Sequence, residues 1–151
     1  MNKLVIYDSL YGNTKKAAEV IATVLVTRVL AAEKAKLTDI ESADLLVIGS
    51  PTHGGQPKAS LLKFLNELPA GSLANKKVAI FDTRMEIKEQ KMFLRWLMKL
   101  IGYAALKLEK IVVAKGGELI SPSLGLIVSD RIGPLKVKEL ERAEGWAKKM
   151  L

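Results

Sequence analysis

Between Tyr7 and Lys15 the chain reads Asp8-Ser9-Leu10-Tyr11-Gly12-Asn13-Thr14, directly behind the apolar run Leu4–Tyr7 and directly before a helical pattern. Hydroxyls, a glycine and an amide between a strand end and a helix start are suited to binding phosphate. N–H groups at a helix N-terminus point at an anion, and hydroxyls add donors. The same residues could instead cap the helix, because capping and anion binding use one geometry. A second segment, Ser50-Pro51-Thr52-His53-Gly54-Gly55-Gln56-Pro57, pairs two glycines that permit close backbone approach to a flat ligand. His53 could equally be an ordinary loop histidine. A third segment, Asp82-Thr83-Arg84, ends another apolar run with polar groups. Asp8 suits the acidic pocket of a receiver domain, but that pocket needs a further carboxylate after Leu45–Gly49, where Ser50 stands.

Composition removes several chemistries. There is no cysteine and only one histidine, which excludes thiolate nucleophiles, disulfides and multi-histidine metal sites. No catalytic side chain and no metal site is predicted. The net charge is +8, from 24 Lys+Arg against 16 Asp+Glu. The basic residues are interleaved with glutamates and form no aromatic-basic platform, so specific nucleic-acid binding is not expected. No apolar run spans a bilayer and no signal-peptide pattern opens the chain, so the expected location is cytoplasmic. No G-x-G-x-x-G dinucleotide fingerprint is present.

The elements that must position these segments follow from periodicity. Apolar runs at Leu4–Tyr7, Leu45–Gly49 and Val78–Phe81 predict strands buried on both faces. Apolar spacing predicts a helix from Lys15 to about Ala32, then a short strand at Ala35–Leu37. Thr38-Asp39-Ile40-Glu41 fits a capping box opening one helical turn. Pro57 suits the first position of a helix running to about Leu68, and Lys88 to Ile101 reads as another. Ala104–Lys115 is read as a helix closed by Gly116-Gly117, although Ile111-Val112-Val113 favours a strand. Glu118–Ile120 and Gly125–Val128 then form two pieces of one interrupted strand. Leu135–Leu151 reads as a helix with Val137, Leu140, Ala143, Ala147 and Met150 inward. Strands alternating with helices, with no linker or repeat, predict a single α/β domain over residues 1–151 and a mainly parallel sheet covered on both faces.

In this context the three segments resemble those of the flavodoxin family. Tyr7–Thr14 resembles its FMN phosphate loop. Gly49–Gly55 resembles the loop beside the isoalloxazine, and Asp82-Thr83-Arg84 the start of the loop on the pyrimidine side. Gly133-Pro134-Leu135, followed by Glu139–Ala143 and Trp146, resembles the closing helix of short members. The resemblance covers nearly the whole chain. It implies a flavodoxin-like, doubly wound, five-stranded parallel sheet of order 2-1-3-4-5. It also implies FMN as cofactor. Ser9, Thr14 and the N–H groups of Tyr11, Gly12, Asn13 and Thr14, with Leu10 in the loop, would hold the phosphate. Pro51, Thr52, His53, Gly54 and Gly55 would line the ring, Gly54 offering its carbonyl to the flavin N5 hydrogen. Asp82, Thr83 and Arg84 would flank the pyrimidine, with the N–H groups of Thr83 and Arg84 near its oxygens.

The implied function is electron transfer with a redox partner protein. The alternatives are an FMN-dependent oxidoreductase acting on a quinone- or porphyrin-like substrate, and an interaction domain that has lost FMN. The chain departs from the family pattern in three ways. Tyr11 replaces a small hydroxyl residue and His53 a stacking aromatic, and the chain is basic where flavodoxins are usually acidic. Met85–Ile101 also resembles nothing in the relatives. Lys88, Lys91, Arg95 and Lys99 form a basic stripe on an otherwise apolar helix, which suits burial on the core with covered flanks, or else a homodimer, a redox-partner dock or a membrane-surface contact.

Overall fold

A computed structural model describes residues 1–86 and 91–151. The strands are β1 (Lys3–Tyr7), β2 (Val29–Ala31), β3 (Leu45–Pro51), β4 (Lys77–Met85), β5 (Glu118–Leu119) and β6 (Leu124–Val128). The helices are α1 (Asn13–Leu25), α2 (Leu37–Glu41), α3 (Ala59–Glu67), α4 (Met92–Ile101), α5 (Ala104–Ala114) and α6 (Glu139–Lys148). The sheet order is β2-β1-β3-β4-β5, and β6 continues the fifth position along β4. All of these strand pairings are parallel, with Val5 opposite Val29 and Val47, and Phe81 opposite Leu124. The expected order and the interrupted last strand are both present.

Because strand side chains alternate, each continuous apolar run feeds two cores. Leu4, Ile6, Leu46 and Ile48 meet Leu61 and Leu65 of α3 and Leu108 and Val112 of α5 on one face. Val5, Leu45 and Val47 meet Ile21 and Leu25 of α1 and Ala143 and Trp146 of α6 on the other. Phe81 stacks edge-on to Trp146 at 6.4 Å between ring centres. It does so over Gly49, where a Cβ would stand 2.0 Å from the Phe81 ring.

Several boundaries differ from the sequence reading. Helix α1 stops at Leu25, not near Ala32, because Val26 turns to φ 51 and the Thr27 N–H closes back on the Ala22 carbonyl at 3.0 Å. Val29, Leu30 and Ala31 beyond it extend as β2, so the second strand is Val29–Ala31 and not Ala35–Leu37. Helix α2 begins at Leu37, and its boxing acid is Asp39, whose carboxylate accepts the Lys36 N–H at 2.9 Å. That bond, ahead of the Arg28 ion pair, holds the Asp39 carboxyl below its ordinary range.

Helix α3 begins at Ala59, two residues past Pro57. Strand β4 runs on through Asp82, Thr83 and Arg84 to Met85, pairing with β6, where the sequence suggested a loop. Ala104–Ala114 is helical, as favoured. Helix α6 starts only at Glu139, since Leu135 bridges to Val128 and Val137 stands 89% exposed. The expected start of α4 at Lys88 lies outside the described residues.

Candidate functional site

The carboxyl ends of β1, β3, β4 and β6 open on one edge of the sheet, where parallel α/β folds place ligands. A cleft lies there. Its floor is set at the start of α1. Gly12 takes φ 89, a left-handed conformation that glycine adopts without strain, and the helix begins behind it with no side-chain cap and no acid in its first turn. The N–H groups of Asn13 and Thr14 meet no acceptor among the described residues. The hydroxyls of the loop are engaged elsewhere, so they do not cap the helix. Ser9 Oγ accepts the Gly12 N–H at 3.0 Å, and the buried Thr14 Oγ pairs with Thr83 Oγ at 2.8 Å. The result is an uncapped positive helix end facing a cleft.

Asp8 does not line this cleft. Its carboxylate accepts the Ser9 N–H at 2.9 Å and the Ser60 hydroxyl, and pairs with Lys58 Nζ at 3.0 Å. It ties the end of β1 to the start of α3. Asn13 Nδ2 donates to the Ile132 carbonyl at 2.8 Å, drawing the turn after β6 over the loop. Gly133 at φ 104 leaves the room, since a Cβ there would stand 2.4 Å from Asn13 Nδ2.

On the opposite side, His53 and Gln56 exchange two backbone hydrogen bonds of 3.0 Å around Gly54 and Gly55. Both glycines have positive φ, 56 and 74, as a tight two-residue turn demands. His53 lies edge-on to Tyr11 at 6.2 Å, and its Nε2 is buried without a hydrogen-bond partner among the described residues. Burial, then the nearby charges of Arg131 and Lys58, lower its pKa from the ordinary 6.5 and favour the neutral ring.

The third wall is built on Asp82, which is fully buried. Its carboxylate takes Arg84 Nε at 2.5 Å and Nη2 at 2.8 Å, and the Ala105 N–H at 3.0 Å. Burial pushes the Asp82 carboxyl above its ordinary range, against the pull of Arg84, the Ala105 N–H and Thr52. Arg84 Cζ sits over the Tyr103 ring, 3.8 Å from its centre. Gly125 makes space for it, because a Cβ there would stand 2.6 Å from Arg84 Cζ. Thr52 Oγ accepts the Ala104 N–H at 3.0 Å, so both the loop after β3 and β4 hold the N-terminus of α5.

The cleft thus gathers Ser9, Leu10, Tyr11, Asn13, Thr14, Pro51, Thr52, His53, Thr83 and Arg84. Gly12 shapes the floor, Gly54 and Gly55 form the turn beside it, and Asp82 lies beneath Arg84. Sequence reasoning missed Met85, Val128 and Arg131, which also line it. Their signal was positional: the ends of β4 and β6 had to share this edge. Among the described residues no histidine–carboxylate cluster could hold a metal.

The chain matches the family model described as Flavodoxin domain over residues 4–127. No curated protein matches it. Among solved structures, a flavodoxin from the domain Archaea superposes with TM-score 0.75 at 20% identity, covering 99% of this chain and 96% of that one. Oxidised Flavodoxin 2 from Bacillus cereus gives 0.74 at 22% identity, over 97% and 95% of the two chains. A flavodoxin from Streptococcus pneumonia TIGR4 gives 0.73 at 18% identity, over 99% and 97%. At these identities the likeness is one of fold.

Proposed function

Because the chain belongs to the flavodoxin family, we propose that its cleft binds FMN and that the protein carries electrons between redox partners. The observation that supports this most is the uncapped start of α1. Two N–H groups, of Asn13 and Thr14, lack acceptors beside the Ser9 and Thr14 hydroxyls, a donor set that fits a phosphate. The unpartnered Nε2 of His53 is a second polar atom in want of a ligand.

In this reading Ser9, Thr14 and the loop N–H groups hold the phosphate. Tyr11, Pro51, Thr52 and His53 line one side of the ring, and Thr83 and Arg84 the other. Bound FMN would supply one- and two-electron redox chemistry, while the chain supplies binding, orientation and charge. Asp82 cancels the Arg84 charge from beneath, and Arg131 adds a positive one at the rim. No acid, base or nucleophile is required, which favours a carrier over a substrate oxidoreductase.

Titration of the apoprotein with FMN and with riboflavin tests the reading. FMN is expected to bind about a hundredfold tighter, since charge-assisted hydrogen bonds to its phosphate are each worth roughly 1.5–3 kcal/mol. Equal affinity, or no binding of either, overturns it. Oxidation of NAD(P)H with a quinone acceptor and no partner protein would replace the carrier reading by the oxidoreductase one.

A further inference from the structure

We infer that α4, with the loops that share its edge of the sheet, is a surface that lies on an anionic lipid bilayer. Helix α4 leaves β4 beside the cleft and returns to the chain at Tyr103, which packs on Arg84. Four of its large apolar side chains stay outside the protein. Met92 is 85% exposed, Phe93 72%, Trp96 58% and Leu100 70%, and neither core includes any of them. Met92, Trp96 and Leu100 follow one another at four-residue spacing along a single helix face, with Phe93 beside them. The Phe93 and Trp96 rings lie 6.3 Å apart. Apolar surface of this kind marks an interaction site.

Charge selects the occupant. From Lys91 to Ile101 the sequence holds three basic residues and no acidic one, and Lys91 and Arg95 are exposed. Every other residue of that stretch is apolar. A symmetric pairing of two copies would set this basic flank against itself without a countercharge from α4. Exposed Trp and Phe flanked by Lys and Arg, on a helix too short to cross a bilayer, fit one that lies in the lipid interface.

The same sheet edge carries Leu10, 53% exposed, in the loop after β1, and Ile132, 64% exposed, beside Arg131 in the turn after β6. The chain's net charge of +8 adds long-range attraction to an anionic surface. Lipid contact through this edge would bring the mouth of the cleft to the bilayer.

The test needs no cofactor, so its failure leaves the FMN reading standing. Trp146 is buried in the core, which makes Trp96 the exposed indole reporter. Apoprotein is mixed with vesicles of phosphatidylcholine, alone or with phosphatidylglycerol. The expected result is co-sedimentation and a blue shift of Trp96 emission with the anionic vesicles, at least tenfold weaker with the neutral ones. Lys91→Gln with Arg95→Gln is expected to weaken binding about twentyfold, from roughly fivefold per charge removed. Phe93→Ser with Leu100→Ser is expected to abolish it, with circular dichroism confirming the fold. Three results would overturn the inference. One is failure to sediment with phosphatidylglycerol vesicles, and another is undiminished binding by the Phe93→Ser/Leu100→Ser protein. The third is a wild-type dimer by light scattering that this double variant turns into a monomer.

Discussion

Thr14 Oγ and Thr83 Oγ share a buried hydrogen bond of 2.8 Å, joining the first turn of α1 to the end of β4 across the floor of the cleft. Among the described residues each hydroxyl is the other's only side-chain partner, so the pair is expected to be strongly non-additive. Thr83→Val strands the Thr14 hydroxyl and should cost about 1–3 kcal/mol in urea unfolding of the apoprotein. The double variant Thr14→Val/Thr83→Val should cost less than the sum of the two singles. Additive losses would mean the bond contributes nothing.

The Asp82–Arg84 pair is expected to behave as a unit. Removing Arg84 leaves a fully buried carboxylate with only the Ala105 N–H and Thr52 to hold it among the described residues. Arg84→Met should therefore cost about 3 kcal/mol. Asp82→Asn/Arg84→Met, which removes the charge as well, should recover part of that loss. Denaturant midpoints of the three proteins decide it.

Two glycines should respond with opposite signs. Gly49→Ala drives a Cβ into the Phe81 ring and displaces the packing on Trp146, so a loss of about 3 kcal/mol is expected. Gly145 lies within α6 with open space around a Cβ. Gly145→Ala should therefore gain about 0.5–1 kcal/mol. Thermal unfolding of the two variants beside the wild type is sufficient.

His53 ties stability to acidity. Its folded pKa lies below the ordinary 6.5. As pH falls, the unfolded chain binds the proton first, and stability rises with pH wherever the unfolded state holds more protons. The contribution of neutral His53 is thus complete above about 6.5 and lost as pH drops through the folded value. His53→Asn should flatten the pH dependence of unfolding in that window. Arg131→Gln should shift the window upward by removing a repelling charge.

Arg131 lines the cleft with no ion-pair partner among the described residues, whereas Arg84 is cancelled by Asp82. A positive charge there favours an anionic reduced cofactor, so the second reduction potential of bound FMN is expected to be less negative than in acidic flavodoxins. Arg131→Glu should move it to more negative values, and spectroelectrochemical titration reads the shift. A strongly negative second potential in the wild type would count against this account.

The sheet was legible because its strands are buried on both faces and read as unbroken apolar runs such as Leu45–Ile48. What was misread depended on contacts between distant residues. Val29 and Ala32 continue the helical spacing of α1, so nothing local announced the left-handed turn at Val26. Asp82, Thr83 and Arg84 look like a loop because they are polar. They remain in β4 because Asp82 finds its own counter-ion two residues on and β6 supplies a ladder. The cleft wall at the start of α1 was visible as a compact local segment. Tyr103 under Arg84, and Arg131 beside His53, arise only when the β4 and β6 ends meet.

One carboxylate grips both ends of the segment between β4 and α5: Asp82 binds Arg84 on the way out and the Ala105 N–H on the way back. With its entry and exit clamped together, that segment is a graft on a finished frame. Doubling its length would cost only about 0.6 kcal/mol in closure entropy. Insertions, deletions or wholesale exchange can therefore accumulate there without disturbing either core. The frame and the segment are free to evolve at separate rates, so a shortened or transplanted segment could leave the cleft intact.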